Sequence, residues 1–439
     1  MQNECKLTYA DKKKVTMKKL TKICALIGAA AMIISAGACG SAKSSDANGS
    51  TQLTIWHYWD GANADTFDAM VKDFNASHKN IKIKTASVPN SDFMTKLRAS
   101  ASSKSLPDIS ISDLVWVPQI AKMGNLTDLS KVISSKTLDD VTPALIDYGH
   151  IDGKQVSVPV TANNLAYMYN KDVYKAAGLD PNKPPQTWDE LKKVAETIKE
   201  KTGKPGYDLL TQAGDNGEGL TWNFQVNLWQ AGGEFLTKDN SKAAFNTPEG
   251  KKAMNFWMDL IKSGVSPYAK WGEFEKGKGG SAQEGSWMVG IWAPDPPFDF
   301  GVAKAPHPKD GKEATNLGGE QAIVFHNSDA RAKAAGEFLN WFLQPEQVIK
   351  WSQKTGMLPV TKSVAKSDKY LDWVKKEQPR LIPFVEQMEI AHTRPNTPLY
   401  PKISFEFAKA VEKAFAGEQS VDEALANAEK AVNDVIAKG

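Results

Sequence analysis

The chain has 439 residues, 41% of them apolar and 24% charged, with a formal charge of +3 at neutral pH. That basicity sits at the start: residues 1–38 hold seven Lys against two acids, so the remainder is near −2 and has no electrostatic case for nucleic-acid binding. Of three Cys, only Cys39 lies beyond residue 38, so the remainder can form no internal disulfide and must draw its stability from large apolar cores.

In chain order, the first signal is Met17-Lys18-Lys19-Leu20-Thr21-Lys22, a basic cluster ahead of a 12-residue apolar run at 23–34 and the small residues Ser35-Ala36-Gly37-Ala38. Basic, apolar and small in that order is a secretory signal. The run is well short of the roughly 20 apolar residues that span a bilayer. Residues 1–38 are therefore expected to be a signal peptide. Residues 1–16 carry no export logic, which makes Met17 the expected start and the extension a mis-assigned one. Residues 40–51 are Ser/Gly/Asn-rich with almost no apolar content, the composition of a flexible tether.

Beyond residue 51, short apolar runs alternate with capped amphipathic segments, the pattern of an α/β protein whose sheets are covered by helices. Strands are predicted at 53–56, 81–84, 109–111, 156–160, 289–292 and 322–325. Helices are predicted to start at the capping boxes Thr187-Trp188-Asp189-Glu190 and Ser420-Val421-Asp422-Glu423, and at Thr247-Pro248-Glu249, an N-cap followed by Pro. Some 400 residues exceed one compact core, so two domains are expected. With no internal repeat and no linker visible, the chain is expected to cross between them more than once.

Several segments then stand in a telling order: Leu53-Thr54-Ile55-Trp56-His57-Tyr58-Trp59, Leu106-Pro107-Asp108-Ile109, Val158-Pro159-Val160, and Tyr169-Asn170-Lys171-Asp172. They are followed by Gly285-Ser286-Trp287-Met288-Val289-Gly290-Ile291-Trp292, Gly318-Gly319-Glu320, Gly356-Met357-Leu358-Pro359-Val360, Arg394-Pro395 and Pro398-Leu399-Tyr400. Together they resemble the extracellular sugar-binding proteins of ABC importers, the family that includes maltose-binding protein. Ala36-Gly37-Ala38-Cys39-Gly40 resembles a bacterial lipobox, although Ala36 stands where that motif usually has Leu.

The resemblance implies an α/β, two-lobed periplasmic-binding-protein-like fold (type II), with a ligand cleft between lobes joined by a hinge. Its lobes would be 52–160 plus 299–352 and 161–298 plus 353–439, with crossings near 160–163 and 296–300. It implies lipidation of Cys39, a tether over 39–51, and anchoring at the extracellular face of the bacterial cytoplasmic membrane. It further implies a monomer without cofactor or metal, which closes on an oligosaccharide and hands it to the membrane-spanning subunits of an ABC importer.

A sugar presents hydroxyl rims and C–H faces, so its site needs carboxylate or amide groups and aromatic platforms. Trp59 and Asp60 leave the first strand together and are expected to face the cleft. Asp113 matches the place where the family often sets a ligand-contacting acid, and equally suits the N-cap of the segment after it. Asn163 and Asn164 follow the first crossing strand; Asn163 also suits a turn. Trp222 and Asn223 lie in a helical segment with Trp229, seven residues on and on the same face. Trp287, Trp292, Gly319, Glu320 and Arg394 complete the set, with Trp292 the preferred stacking ring. Glu320 equally suits an ion pair with a surface Lys.

A secreted glycoside hydrolase is the rival reading, since paired carboxylates such as Asp60, Asp113 and Glu320 in a sugar cleft can catalyse when about 5 to 9.5 Å apart. The chain has no nucleophile elbow, metal-binding His pair or phosphate-binding loop. Six His without ligand spacing offer no zinc site. The expectation is a binding protein with no catalytic residues.

Overall fold

The computed structural model describes residues 49–439 apart from Asp215, Lys270, Ala293 and Pro294. The signal segment, Cys39 and most of the 39–51 tether lie outside the described residues.

The strands in chain order are β1 (Thr51–His57), β2 (Ile81–Ser87), β3 (Ile109–Asp113), β4 (His150–Ile151), β5 (Lys154–Gln155), β6 (Ser157–Pro159) and β7 (Leu165–Asn170). Then come β8 (Ser281–Gly285), β9 (Phe300–Ala303), β10 (Thr315–Leu317), β11 (Glu320–Val324) and β12 (Ala391–Thr393). A five-stranded sheet runs β2-β1-β3-β11-β6, and a three-stranded sheet runs β8-β7-β9. In the larger sheet β1 lies parallel to β2 and β3, while β11 is antiparallel to both β3 and β6. Leu53, Ile55 and His57 of β1 point into the core by alternation, and β7 is buried along its whole length, as a central strand covered on both faces must be.

Both expected capping boxes are formed, with the Thr187 and Ser420 side chains accepting from the backbones of Glu190 and Glu423, whose carboxylates reach back. Thr247 caps the Pro248–Lys262 helix by accepting from the Gly250 N–H. Five of the six predicted strands appear. The sixth does not: 289–292 belongs to the helix Ser286–Trp292. Its buried residues Met288, Val289 and Trp292 follow helical spacing rather than alternation. Gly290 lets this helix lie against the backbone at Thr355, where a Cβ would collide.

The two sheets share chain segments. Between β6 and β7, at 160–164, the chain leaves the larger sheet and enters the smaller. The second expected crossing, near 296–300, is too early. Phe300–Ala303 pairs antiparallel with β7 in the smaller sheet, so the chain returns to the larger one between β9 and β11. In that pairing Phe300 stands opposite Asn170 and Ala303 opposite Tyr167, and Phe300 is fully buried. The crossing segments meet: Asn163 pairs with Gly318 and Ala162 with Leu358.

Aromatic rings fill both halves. Trp59 packs on Phe67 and Trp351, and Trp292 on Phe274, Phe298 and Phe300. Behind β1, the buried Asp108 carboxylate accepts from Thr54, Asn327 and Arg331, so this charge is fully paired.

Candidate functional site

The polar and aromatic groups converge where the crossing segments leave the larger sheet. β3 ends in Asp113, which caps the following turn by accepting from the Val115 N–H at 3.0 Å. Across the register, Asp113 faces Glu320, the first residue of β11. Gly319 precedes it with φ +138°, and a Cβ there would collide with the Thr161 carbonyl, so only Gly lets β11 start so close to the crossing strand.

Glu320 is 6% exposed and well bonded. Its carboxylate accepts from the Tyr58 hydroxyl at 2.8 Å and from the Thr161 hydroxyl, while its own N–H donates to Thr161 Oγ1 at 2.9 Å. Burial pushes this carboxyl up, and the hydrogen bonds from Thr161 and Tyr58 pull it back.

Arg394 follows β12 and is 2% exposed. Its Nη2 donates to Asp113 Oδ1 at 2.8 Å and its Nη1 to Glu218 Oε1 at 2.6 Å. Glu218 opens the Glu218–Gln230 helix and also accepts from Ser404 at 2.7 Å and Tyr400 at 3.3 Å. Burial alone would lower the guanidinium, but Asp113 and Glu218 outweigh it and hold it raised, so Arg394 stays charged. Its guanidinium lies over the Trp222 ring, 5.0 Å from the centroid.

Trp222 stacks on Trp287 with centroids 5.7 Å apart and an interplanar angle of 14°. Both rings are half-buried. Asn163 is 6% exposed with its Oδ1 unpartnered among the described residues, as is the Trp222 indole N–H. Both side chains close on Gly318: a Cβ there would strike Asn163 Oδ1 and lie 3.1 Å from the Trp222 ring. An acceptor, a donor, two flat rings, an arginine held by two carboxylates and a third carboxylate opposite Asp113 suit a polyhydroxylated ligand with apolar faces.

Of the residues singled out from sequence, Asp113, Asn163, Trp222, Trp287, Gly319, Glu320 and Arg394 come together here. The others do not. Trp59 is 4% exposed and spends its ring on the core rather than facing a cleft. Asp60 is exposed at the start of the Gly61–Ser77 helix and makes no cap bond. Asn164 donates to the Phe384 carbonyl and receives Gln387. Asn223 donates to the Gly219 carbonyl and receives Gln283. Trp292, the preferred stacking ring, is 7% exposed inside an aromatic cluster, because its strand is in fact a helix turned inward. Glu320 meets Tyr58 and Thr161 rather than a surface Lys. Trp222 and Trp229 part company despite their spacing: Trp229 is buried against His392.

Sequence reasoning missed Tyr58, Thr161, Glu218 and Tyr400. Tyr58 was within reach, since it follows β1 beside Trp59. Glu218 and Tyr400 lie far apart in the chain, and only the packing of helix on helix brings them to Arg394.

Two α/β halves joined by crossing segments, with polar and aromatic groups gathered at the junction, define a two-lobed solute-binding fold. The chain belongs to the bacterial extracellular solute-binding protein family, whose pattern matches residues 69–378. It is similar to the crystal structure of the cyclic α-maltosyl-1,6-maltose binding protein from Arthrobacter globiformis, with 67% identity, a TM-score of 0.84, and coverage of 89% of this chain and 100% of that one. It is also similar to an ABC transporter solute-binding protein from Thermotoga lettingae bound with α-D-tagatose, at 28% identity, a TM-score of 0.77, and coverage of 88% and 100%. A more distant relative is the sn-glycerol-3-phosphate-binding periplasmic protein of Brucella abortus, 27% identical over 429 residues that cover 91% of this chain and 96% of the relative. Among the described residues no helix is long and apolar enough to cross a membrane, and no group of three metal-ligating side chains occurs.

Proposed function

We propose that this protein captures an α-linked glucose oligosaccharide of the cyclic maltosyl-maltose kind outside the cell and passes it to the membrane-spanning subunits of an ABC importer. The observation that carries the reading is the half-buried Trp222–Trp287 stack beside Asp113, Glu320 and Arg394, in a chain 67% identical to a binding protein for that cyclic sugar. Stacked rings recognise the C–H faces of glucose units, and the surrounding carboxylates and amide accept from hydroxyls.

The lobes follow the sheets: 52–160 joined by the strand from Glu320 forms one, and β7, β8 and β9 build the other, with the sugar between them and closure driven by contacts from both. A binding rather than a hydrolytic role is supported by the family and by the relatives named above, which are binding proteins. The lipobox-like residues 36–40 support anchoring of a monomer by acylated Cys39.

Calorimetric titration of the chain from Thr51 onward against cyclic α-maltosyl-1,6-maltose, maltotriose and glucose, with product analysis, tests the reading. Tight one-to-one binding with the sugar recovered intact is expected. Cleaved sugar would make the protein a hydrolase, and silence with all three would reject a glucose oligosaccharide. For the anchor, Cys39→Ser is expected to release the protein from cells into the medium.

A further inference from the structure

Arg394 bonds two acids that belong to different halves of the molecule. Asp113 ends β3 of the five-stranded sheet. Glu218 opens a helix that rests on the three-stranded sheet, where Gln283 of β8 donates to Asn223. The next residues repeat the pattern. From the side of the larger sheet, Tyr148 donates to the Pro395 carbonyl at 3.1 Å and Gln119 to that of Pro398 at 2.9 Å. From the other side, Asn240 donates to the Asn396 carbonyl at 3.3 Å, while the Asn396 side chain donates to Tyr148 at 2.9 Å. Residues 394–398 thus form a strap with bonds to both halves.

Electrostatics makes Arg394 the decisive member. Bringing Asp113 and Glu218 towards each other in a partly buried place is unfavourable between like charges, and a guanidinium between them turns the repulsion into attraction. Arg394 is only 2% exposed: each terminal nitrogen donates to an acid, its Nε is buried without a partner among the described residues, and the Trp222 indole covers one face. We propose that Arg394 is a positioning residue that fastens the two halves around the sugar through Asp113 and Glu218, and sets the Trp222 ring, without itself bonding the sugar. The proposal rests on the reading that a sugar binds beside Trp222 and Trp287.

The test is stopped-flow binding, followed by Trp fluorescence, of cyclic α-maltosyl-1,6-maltose and of maltotriose to wild type, R394Q, R394K, E218Q and the R394Q/E218Q double variant. A fastening lost after encounter should raise the dissociation rate of R394Q about tenfold or more while leaving association within about twofold. The factor should be the same for both sugars. R394K should recover part of the loss by holding one acid, and the double variant should lose less than the sum of the singles, as groups in one network do.

A wild-type dissociation rate in R394Q, additive losses in the double variant, or a loss that differs between the two sugars would each overturn the proposal, the last by making Arg394 a direct contact. If R394Q does not fold, R394K and E218Q decide: faster release supports the fastening, and unchanged release removes it. A wild type that binds neither sugar would overturn the sugar reading itself, whereas a binding wild type with unaltered variants defeats only the role of Arg394.

Discussion

Trp222 and Trp287 keep part of each ring accessible while stacking on one another, whereas Trp292 is enclosed by Phe274, Phe298 and Phe300. Truncation should separate the two situations. Trp287→Ala is expected to weaken sugar binding by about 1–3 kcal/mol with little change in unfolding temperature, measured by calorimetry and thermal melts. Trp292→Ala should instead cost about 3–5 kcal/mol of stability, because it opens a cavity in a packed aromatic cluster.

A second residue, Glu284 on β8, gives a pH signature. Burial, followed by the charges of Glu275 and Asp208, pushes its carboxyl from 4.5 up to about 8, against one compensating bond from the Gly285 N–H. Between those two values the unfolded chain ionises Glu284 while the native protein keeps it protonated. The native state then binds more protons, so stability falls as pH rises through this window. Glu284→Gln should remove the fall. Its advantage over wild type in urea unfolding is expected to be negligible at pH 4 and on the order of 4 kcal/mol by pH 8; an equal gain at both pH values would mean that packing, not charge, is responsible.

At the scale of elements, helix starts were legible because a cap is local chemistry. Thr187 and Glu190 sit three residues apart and satisfy each other's backbone wherever the helix is placed. Thr187→Ala is accordingly expected to cost about 1 kcal/mol in denaturant unfolding. Strands that alternate, such as β1, were equally legible. The helix Ser286–Trp292 was not, since seven residues rich in Trp, Met, Val and Ile satisfy either periodicity, and its fit against the backbone at Thr355 decided the matter. β7 carries no strand signal for a related reason: a fully buried strand of aromatic and apolar residues shows no alternation.

For the molecule as a whole, a ligand that binds only the folded, two-lobed form must stabilise it by mass action. Cyclic α-maltosyl-1,6-maltose at 100 times its dissociation constant is expected to add about 2.7 kcal/mol to the unfolding free energy, read from denaturant midpoints with and without sugar. The radius of gyration should contract on binding if the halves close around the ligand.

The sequence by itself determined the α/β class, most of the predicted strands, the helix caps and the order of motifs that marks an extracellular solute-binding protein. These are properties of short segments or of their order, which survive without knowledge of what packs on what. Only the tertiary structure decided which Trp rings are partly open, which acids meet Arg394, and where the chain returns to the larger sheet. Asp113, Glu218 and Arg394 are up to 281 positions apart, and their meeting depends on how both sheets and the helices between them pack. Trp222 and Trp292 look alike in sequence, and burial separates them only once each helix has a face turned towards a neighbour.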